Sequence, residues 1–209
     1  MRIVIVIVSD THCLHEQLGV LSGDVLIHCG DFCDGFHPND SDVDAMDEWF
    51  GRQEFELILA IGGNHDIAAQ DREEHGEDVF ENAVYLTDDS IEVGGLNFYG
   101  APWIPRLQGW GYYKSDPELR EKWELIPDDT DVLITHTPPF GILDKPRTTD
   151  SQGCPHLRHR VDALAQLKLH CFGHIHASYG VQDASPELTF CNAALQRGDE
   201  LKQPLVIEL

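Results

Sequence analysis

The sequence predicts an α/β domain, and three observations carry that prediction. Short apolar runs suited to buried strands recur along the 209 residues. Stretches with apolar residues at helical spacing lie between several of these runs. The pair Gly94-Gly95 separates two further runs, which indicates a two-residue hairpin turn and therefore an antiparallel element. No repeat, low-complexity tract or linker interrupts the pattern, so we expect one domain over residues 1–209.

The strand predictions follow the chain from its first residues. The run at residues 2–8 is almost entirely β-branched, which is typical of a strand buried on both faces. Similar runs predict strands at residues 24–28, 57–61, 131–135 and 168–172. The hairpin pairs residues 90–93 with 96–99, and the tail adds strands at residues 179–182, 188–191 and 205–208.

Three helices are predicted between the strands. Residues 41–52 begin with Ser41, a residue type that caps helices, and carry apolar side chains on one side. Residues 116–125 have Pro117 in the first turn, where proline is tolerated. Residues 158–167 place Val161, Leu164 and Leu167 at helical spacing.

The charge of the chain restricts its partners. Asp and Glu number 37 against 14 Lys and Arg, which gives a formal net charge of −23. An acidic surface repels polyanions, so we expect no extended nucleic acid as a partner. A small phosphate ester drawn to a local cationic site is compatible with this charge.

Composition also predicts the cellular setting. No apolar run reaches the roughly 18 residues that span a bilayer, so we expect no membrane segment. The apolar run at residues 3–8 ends in Ser9-Asp10, which favours a buried strand over a signal peptide. The six cysteines include no Cys-x-x-Cys pair, which argues against a structural zinc site and favours reduced thiols in the cytoplasm.

Five polar clusters each follow directly after a predicted apolar strand. They are Asp10-Thr11-His12, Gly30-Asp31, Gly63-Asn64-His65-Asp66, Thr135-His136-Thr137 and Gly173-His174-Ile175-His176. Alone, Asp10-Thr11-His12 is more typical of a turn or helix cap, Gly30-Asp31 indicates only a turn, and His136 is more typical of a buried histidine. The other two clusters are each moderately specific for a site. Ligands bind outside the carboxyl ends of strands in open α/β sheets, so we expect the five loops to converge at one sheet edge.

The residue types in the clusters suit metal ions. Two Asp, four His and one Asn offer nitrogen and oxygen ligands without a thiolate, which favours Mn, Fe, Zn, Co or Ni over a lone Ca²⁺ or a structural zinc. Asp10 and His12 are two residues apart, so on an extended strand end both side chains would point the same way, and His174 and His176 repeat this spacing. The glycines of the clusters would permit turns where a side chain would collide with the site.

The ordered series resembles the signature of the calcineurin-like metallophosphoesterases, written D-x-H, G-D, G-N-H-D or E, H and G-H-x-H. Every part stands in order between residues 10 and 176. Further stretches resemble the small metallophosphoesterase domain-containing proteins of that superfamily, namely His28-Cys29-Gly30-Asp31-Phe32, Ala101-Pro102-Trp103, Thr135-His136-Thr137-Pro138-Pro139 and Gly173-His174-Ile175-His176. The resemblance implies two packed mixed β-sheets flanked by helices, an αββα sandwich with the metals at one end.

The resemblance also implies roles for individual residues. The first of two divalent cations would be held by Asp10, His12, Asp31 and His176. The second would be held by Asp31, Asn64, His136 and His174, with Asp31 bridging. His65 would bind neither metal and would act as general acid toward the leaving group, while Asp66 would orient its ring and raise its pKa. We expect Mn²⁺ as the metal, with Fe, Zn, Ni or Co as alternatives.

These roles predict a hydrolase of small phosphate esters, and the resemblance to the small subfamily implies phosphodiesters such as cyclic nucleotides in the first place. Two cations about 3.5–4 Å apart can lower the pKa of a bridging water, and the resulting hydroxide would attack phosphorus. A phosphomonoesterase using the same site is the close alternative. A non-catalytic scaffold is the alternative from another class, although the complete ligand set argues against it. The charge argues against an exonuclease, and the oligomeric state stays open.

Other residues keep two interpretations at this stage. His28 either supports the ligand loop that follows it or is a buried structural histidine, and the remaining histidines outside the motifs are taken as surface or structural, namely His15, His37, His75, His156, His159 and His170. The aromatic segment at residues 103–113 either shapes a substrate pocket or packs in the core. The loop at residues 138–155, with Lys145 and Arg147, either rims the site or is solvated.

Overall fold

The computed structural model describes residues 2–35, 39–146 and 150–209, so the predictions for His37 and Arg147 lie outside the described residues. The strands are β1 (Val4–Val8), β2 (Ser22–His28), β3 (Glu54–Ala60), β4 (Val84–Tyr85), β5 (Asp89–Val93), β6 (Leu96–Ala101), β7 (Val132–Thr135), β8 (Leu169–Phe172), β9 (Gly180–Asp183), β10 (Thr189–Asn192), β11 (Gln196–Arg197), β12 (Glu200–Leu201) and β13 (Leu205–Glu208). The helices are α1 (Asp40–Phe50), α2 (Ile67–Glu74), α3 (Asp116–Glu124) and α4 (Pro155–Ala163).

The strands form two large mixed sheets and a small hairpin. The first sheet has the order β13-β1-β2-β3-β4, with β13 antiparallel to β1 and the other neighbours parallel. The second has the order β5-β6-β7-β8-β10-β9, in which β5 and β9 pair antiparallel with their neighbours and the inner strands are parallel. The hairpin joins β11 to β12. The predicted hairpin at Gly94-Gly95 is confirmed, and both glycines have the positive φ that such a turn requires.

The two sheets pack face to face, and helices cover their outer faces. Side chains from both sheets, such as Ile5, Ile27 and Ile134, form the core between them. The outer face of the first sheet packs against α1 and α2, and that of the second sheet packs against α3 and α4. The predicted αββα sandwich is therefore confirmed. No helix within the described ranges is long and apolar enough to cross a membrane.

Helix ends differ from the predictions in ways that local chemistry explains. Helix α1 begins earlier than predicted because Asn39, not Ser41, is its N-cap and accepts a hydrogen bond from the backbone N–H of Ser41. Helix α4 begins at Pro155, a residue favoured in a first helical turn, and ends at Ala163, so Leu164 and Leu167 lie beyond it. Helix α2 was not predicted, because its sequence is short and largely polar.

The five polar clusters all follow parallel strands. Three of them come after β1, β2 and β3 of the first sheet, and two come at the ends of β7 and β8 of the second sheet. The expectation that they meet at one sheet edge is therefore wrong in one respect. The carboxyl ends of two packed sheets meet, so the site is assembled across the sandwich.

Candidate metal centre

The structure brings the predicted ligand side chains together in overlapping groups. Ligand atoms of Asp10, His12 and His176 lie within 4.8 Å of one another, and so do those of Asp31, His136 and His174. A third group joins His12, Asp31 and His65 at the same spacing. The amide oxygen of Asn64 lies 3.1 Å from Nε2 of His136. Asp31 thus belongs to two groups, and it is the residue to which the family resemblance gives a bridging role.

Backbone carbonyl groups orient two of the histidines. Nδ1 of His12 pairs with the carbonyl oxygen of Cys33 at 3.2 Å, and Nδ1 of His136 pairs with that of Cys29 at 2.8 Å. A carbonyl oxygen only accepts, so in each ring Nδ1 carries a hydrogen and Nε2 faces the centre. This is how metal-binding histidines are commonly held.

The surroundings of His136 test whether the residues fit a cation. Its Nε2 lies 3.3 Å from Oδ2 of Asp31 and close to the amide oxygen of Asn64, so both ring nitrogens face oxygen atoms. Burial opposes a charge on this ring, but the carboxylates of Asp31 and Asp10 raise its pKa to about 9. The oxygen atoms of Asp31 and Asn64 beside Nε2 of His136 therefore favour a positive charge there. A divalent ion bound to Nε2 and to these two oxygen atoms would supply that charge.

The two carboxylates at the centre are buried and favour ionisation. Burial raises the pKa of Asp10, but the hydrogen bond from His176 and the charges of the surrounding histidines bring it well below its usual value. Asp31 is also buried, and the neighbouring His136 brings its pKa below the usual range in the same way. Backbone N–H groups donate to both carboxylates, from His174 to Asp10 and from His65 to Asp31.

The ligand loops do not have the extended backbone that the sequence suggested. Asp10, His12, Asp31 and His174 all have φ between 41° and 67°, in the left-handed region that non-glycine residues seldom adopt. The side chains of Asp10 and His12 thus converge through two left-handed residues rather than through strand alternation. Backbone strain of this kind persists where the surrounding structure enforces it, commonly at functional sites.

Two glycines are required by packing at the centre. A Cβ on Gly63 would lie 2.4 Å from Oδ1 of Asp31, and a Cβ on Gly173 would lie 2.1 Å from Oδ2 of Asp10. A side chain at either position would push directly on a carboxylate of the centre. The predicted reason for glycine in these motifs is confirmed.

The predicted contact between Asp66 and His65 is wrong. The carboxylate of Asp66 is buried and accepts hydrogen bonds from the backbone N–H groups of Asp31, Gly63 and Cys33. Nδ1 of His65 instead pairs with the carbonyl oxygen of Asp34 at 2.9 Å. Asp66 therefore holds together the loops after β2 and β3, because its carboxylate oxygens accept from backbone N–H groups of both.

Supporting residues around the centre were only partly anticipated. His28 is buried, accepts from the backbone N–H of Gly30, and pairs through Nε2 with Oγ of Thr11. His28 is thus a buried structural histidine and also supports the ligand loops of Thr11 and Gly30, so both interpretations of this residue apply. Ser9, which sequence analysis missed, donates from Oγ to Asp10 at 2.6 Å. Only its position before the Asp-x-His motif hinted at this contact.

A pocket of about 490 Å³ opens over the centre. Its lining consists of His12, Asp31, Asp34, Asn64, His65, Leu107, Trp110, His174, His176 and Gln196. The Trp110 ring lies 4.8 Å from that of His65, so one part of the aromatic segment does face the site. Trp103 and Tyr112 are buried in the core, and no described residue of the loop at 138–155 lines the pocket.

The comparisons with known proteins agree with this geometry. The chain is 37% identical to human metallophosphoesterase domain-containing protein 1 in an alignment of 231 positions, gaps included. The alignment covers 98% of this chain and 70% of that protein. It is 33% identical to the UPF0046 protein K07C11.7 of Caenorhabditis elegans, over 97% of this chain and 73% of that protein. The resemblance to the metallophosphoesterase domain-containing proteins is confirmed.

A solved structure and a family model add the fold and the family. The fold is similar to that of phosphopantetheinyl hydrolase from Mycobacterium tuberculosis, with a TM-score of 0.51 at 14% identity over 90% of this chain and 87% of that one. The model of the calcineurin-like phosphoesterases matches residues 3–178, which include all five polar clusters. With the ordered motifs, the αββα sandwich and the converging ligand groups, this match shows that the chain belongs to the calcineurin-like phosphoesterase family.

Proposed function

We propose that this phosphoesterase uses two divalent cations to hydrolyse small phosphodiesters, such as cyclic nucleotides. The observation that carries the proposal is that ligand atoms of Asp31 lie within 4.8 Å of those of His136 and His174 on one side and of His12 on the other. A carboxylate in that place suits sharing by two metals. The first cation would lie among Asp10, His12, Asp31 and His176, and the second among Asp31, Asn64, His136 and His174. Mn²⁺ is the metal we expect, since the ligands are oxygen and imidazole nitrogen.

The cations, when bound, would supply an activated water and positive charge beside the phosphoryl oxygens. The protein fixes the ligand side chains in position and excludes solvent from them. Asp10, Asp31 and His136 are almost inaccessible, and their orientation is fixed by backbone donors and acceptors. Such fixed groups need no rearrangement as charge develops in the transition state.

His65 is the group that we propose as general acid. Nδ1 of His65 donates to the carbonyl oxygen of Asp34, so the protonated ring would give its proton to the leaving oxygen from Nε2. Its backbone N–H donates to Asp31, so the ring is attached directly beside the ligand groups. The adjacent Trp110 ring offers an apolar surface to the leaving group.

The choice of small esters rests on charge, and the choice of diesters is carried over from the resemblance to the metallophosphoesterase domain-containing proteins. The net charge of −23 disfavours a nucleic-acid polymer and leaves small esters as substrates. A phosphomonoesterase is the alternative function of the same residues. A scaffold role is disfavoured, because a scaffold has no need for eight polar groups gathered on buried and strained loops. We place the protein in the cytoplasm, where its six free cysteines stay reduced.

The substrate class is tested by a panel of metals and esters. Protein stripped with a chelator is loaded with Mn²⁺, Ni²⁺ or Zn²⁺ and assayed on bis(4-nitrophenyl) phosphate, 4-nitrophenyl phosphate and a cyclic nucleotide. We expect two equivalents of metal by elemental analysis and a larger kcat/KM for the diesters. A larger kcat/KM for the monoester would establish the monoesterase alternative, and no hydrolysis by any loaded form would support the scaffold.

The role of His65 is tested by varying the leaving group. We expect His65→Ala to retain two metals yet to lose about 10²–10⁴-fold in activity on an alkyl ester, the usual contribution of general acid catalysis. The loss should be smaller on a nitrophenyl ester, whose anion departs without a proton. His159→Ala, at an exposed histidine, is the control. Equal losses along the whole series would rule out proton donation and leave an electrostatic role.

A further inference from the structure

A second cavity adjoins the metal-centre pocket. It has a volume of about 450 Å³ and is lined by His176, Ala177, Tyr179, Gln196, Arg197, Gly198 and Lys202. His176 and Gln196 line both cavities. A ligand bound at the metal centre that extends past these two side chains therefore enters the second cavity.

The second cavity is cationic, although the protein is strongly acidic. Its lining includes Arg197 and Lys202, and no Asp or Glu is among the described residues that form it. Acidic residues outnumber basic ones by 37 to 14 in the whole chain. A concentration of positive charge on such a background attracts anions locally.

Arg197 stands apart from the other described arginines. Seven of them use the guanidinium in hydrogen bonds or ion pairs, namely Arg2, Arg52, Arg72, Arg106, Arg120, Arg158 and Arg160. Arg197 is exposed, and although Glu200 is its register partner in the β11–β12 hairpin, its guanidinium makes no hydrogen bond or ion pair within the described parts of the chain. The guanidinium group is suited to bidentate hydrogen bonding with phosphate, so its donors are available to a ligand.

Lys202 attaches the β11–β12 hairpin to the loop that carries His176. Its Nζ donates to the carbonyl oxygens of His176 and Ala194, at 3.0 and 2.8 Å, and lies 4.5 Å from the centre of the Tyr179 ring. Lys202 directly follows β12, whose hairpin partner β11 carries Arg197. The hairpin is thereby attached to the loop of His176, so Arg197 has a defined position relative to the proposed phosphate site.

We propose that the second cavity is a substrate subsite for a second phosphate group, and that Arg197 selects for it. The inference rests on the proposed function, which places the scissile phosphate among the metal ligands. A diester with a further phosphate would then place one phosphate at the metals and the other beside Arg197. An uncharged substituent of the same size would leave the guanidinium without a partner, which gives the enzyme a basis for discrimination.

Binding of compounds that cannot be hydrolysed tests the subsite. Metal-loaded protein is titrated calorimetrically with alkylphosphonates and with α,ω-alkane bisphosphonates from propane to hexane. In wild type, the bisphosphonate of best length should bind more tightly than the matching monophosphonate. Arg197→Gln should reduce that advantage about fivefold, as expected for an exposed charge pair, while the monophosphonate keeps its affinity. Arg197→Lys should restore part of the advantage.

The control removes the same charge at the other end of the sheet. Arg2 precedes β1, whose opposite end leads to Asp10, so Arg2→Gln should keep the wild-type ratio of affinities. An unchanged ratio in Arg197→Gln would overturn the subsite while leaving the metal centre intact, and an equal fall in both variants would overturn it in favour of long-range charge. Failure of monophosphonates to bind metal-loaded wild type would overturn the proposed function, and the subsite with it.

Discussion

Two buried histidines of the second sheet differ in pKa, one at the edge of the sheet and one in its interior. His136 directly follows β7, His170 lies within β8, and solvent reaches neither of them. Burial disfavours charge on both rings. The carboxylates of Asp31 and Asp10 nevertheless raise the pKa of His136 to about 9, whereas burial alone lowers the pKa of His170 to about 3.

The hydrogen bonds of the two rings account for this difference. Both nitrogens of His136 face oxygen acceptors. Oγ of Thr135 donates to the carbonyl oxygen of Thr137, so it accepts from Nε2–H of His170. Nδ1 of His170 has no partner among the described residues. For this pair, burial does not distinguish the proposed ligand His136 from His170, whereas the oxygen acceptors around the His136 ring do.

The largest effect is expected at Asp31, the carboxylate that we propose is shared by both cations. Asp31→Asn removes one charge and one shared ligand from both proposed cation sites. Loss of groups that merely support a metal ligand costs about 10–100-fold in affinity, so we expect at least about 100-fold weaker binding of both metals. Titration of chelator-stripped protein with Mn²⁺, followed by elemental analysis, measures this loss together with activity.

Matched variants separate a shared ligand from a change of charge. Asp34→Asn removes an equal charge from the lining of the same pocket but keeps the backbone carbonyl that pairs with His65, so it should retain both metals. Asn64→Ala should weaken mainly one metal. Asp31→Asn that retained both cations and full activity would refute the bridging role.

A smaller effect is expected where the two sheets meet, at Gly173. A Cβ there would lie 2.0 Å from Oγ of Ser9 and 2.1 Å from Oδ2 of Asp10. Gly173→Ala must therefore move a ligand loop of the opposite sheet. We expect a loss of about 1–3 kcal/mol in the free energy of unfolding, as for other overpacked sites, together with weaker metal binding. Thermal unfolding and metal titration measure the two consequences.

The control for Gly173 separates a collision from backbone strain. Gly76 has φ of 73° and would place a Cβ in open space, so Gly76→Ala introduces left-handed strain without a collision. It should lower stability by about 1 kcal/mol and leave metal affinity unchanged. If Gly173→Ala also kept the wild-type metal affinity, the ligand loops could move to admit a Cβ without disturbing the metal sites. The close packing at this edge would then not be needed for metal binding.

The parts of the site that follow from short-range rules could be predicted from the sequence. Apolar runs indicated each parallel strand that precedes a polar cluster, and the order of the motifs indicated which side chains converge. Gly63 and Gly173 were expected at points of close approach, and the structure has them there. These inferences need only residue type, spacing and strand direction.

Features that depend on tertiary contacts could not be predicted. The left-handed backbone of Asp10 and Asp31 depends on hydrogen bonds from other loops, such as those between Asp66 and the chain after β2. Adjacency in sequence suggested that Asp66 orients His65, but adjacent residues in a turn need not face each other. Arg197 lines the same cavity as His176 through the β11–β12 hairpin, and no motif marks it.

The last prediction concerns the interior histidine, and its sign follows from the direction of the pKa shift. His170 has a pKa of about 3 in the folded protein, below the value of about 6.5 for an unfolded chain. The unfolded state therefore binds more protons between these pH values, and the stability that the neutral ring contributes is complete above pH 6.5 and declines as the pH falls toward 3. The decline is about 1.4 kcal/mol per pH unit.

His170→Gln removes this titration while keeping a side-chain amide that can donate to Thr135. Chemical denaturation is measured from pH 7.5 to 5 in the presence of a chelator, so that release of metal does not contribute. At pH 7.5 the variant should be less stable than wild type because it packs less well, and by pH 5 the difference should shrink by about 2 kcal/mol. The same substitution at the exposed His159 is the control, because it removes an imidazole ring that is not buried. A difference between His170→Gln and wild type that stays constant over this range would mean that the interior tolerates a charged ring, and the contrast with His136 would then be lost.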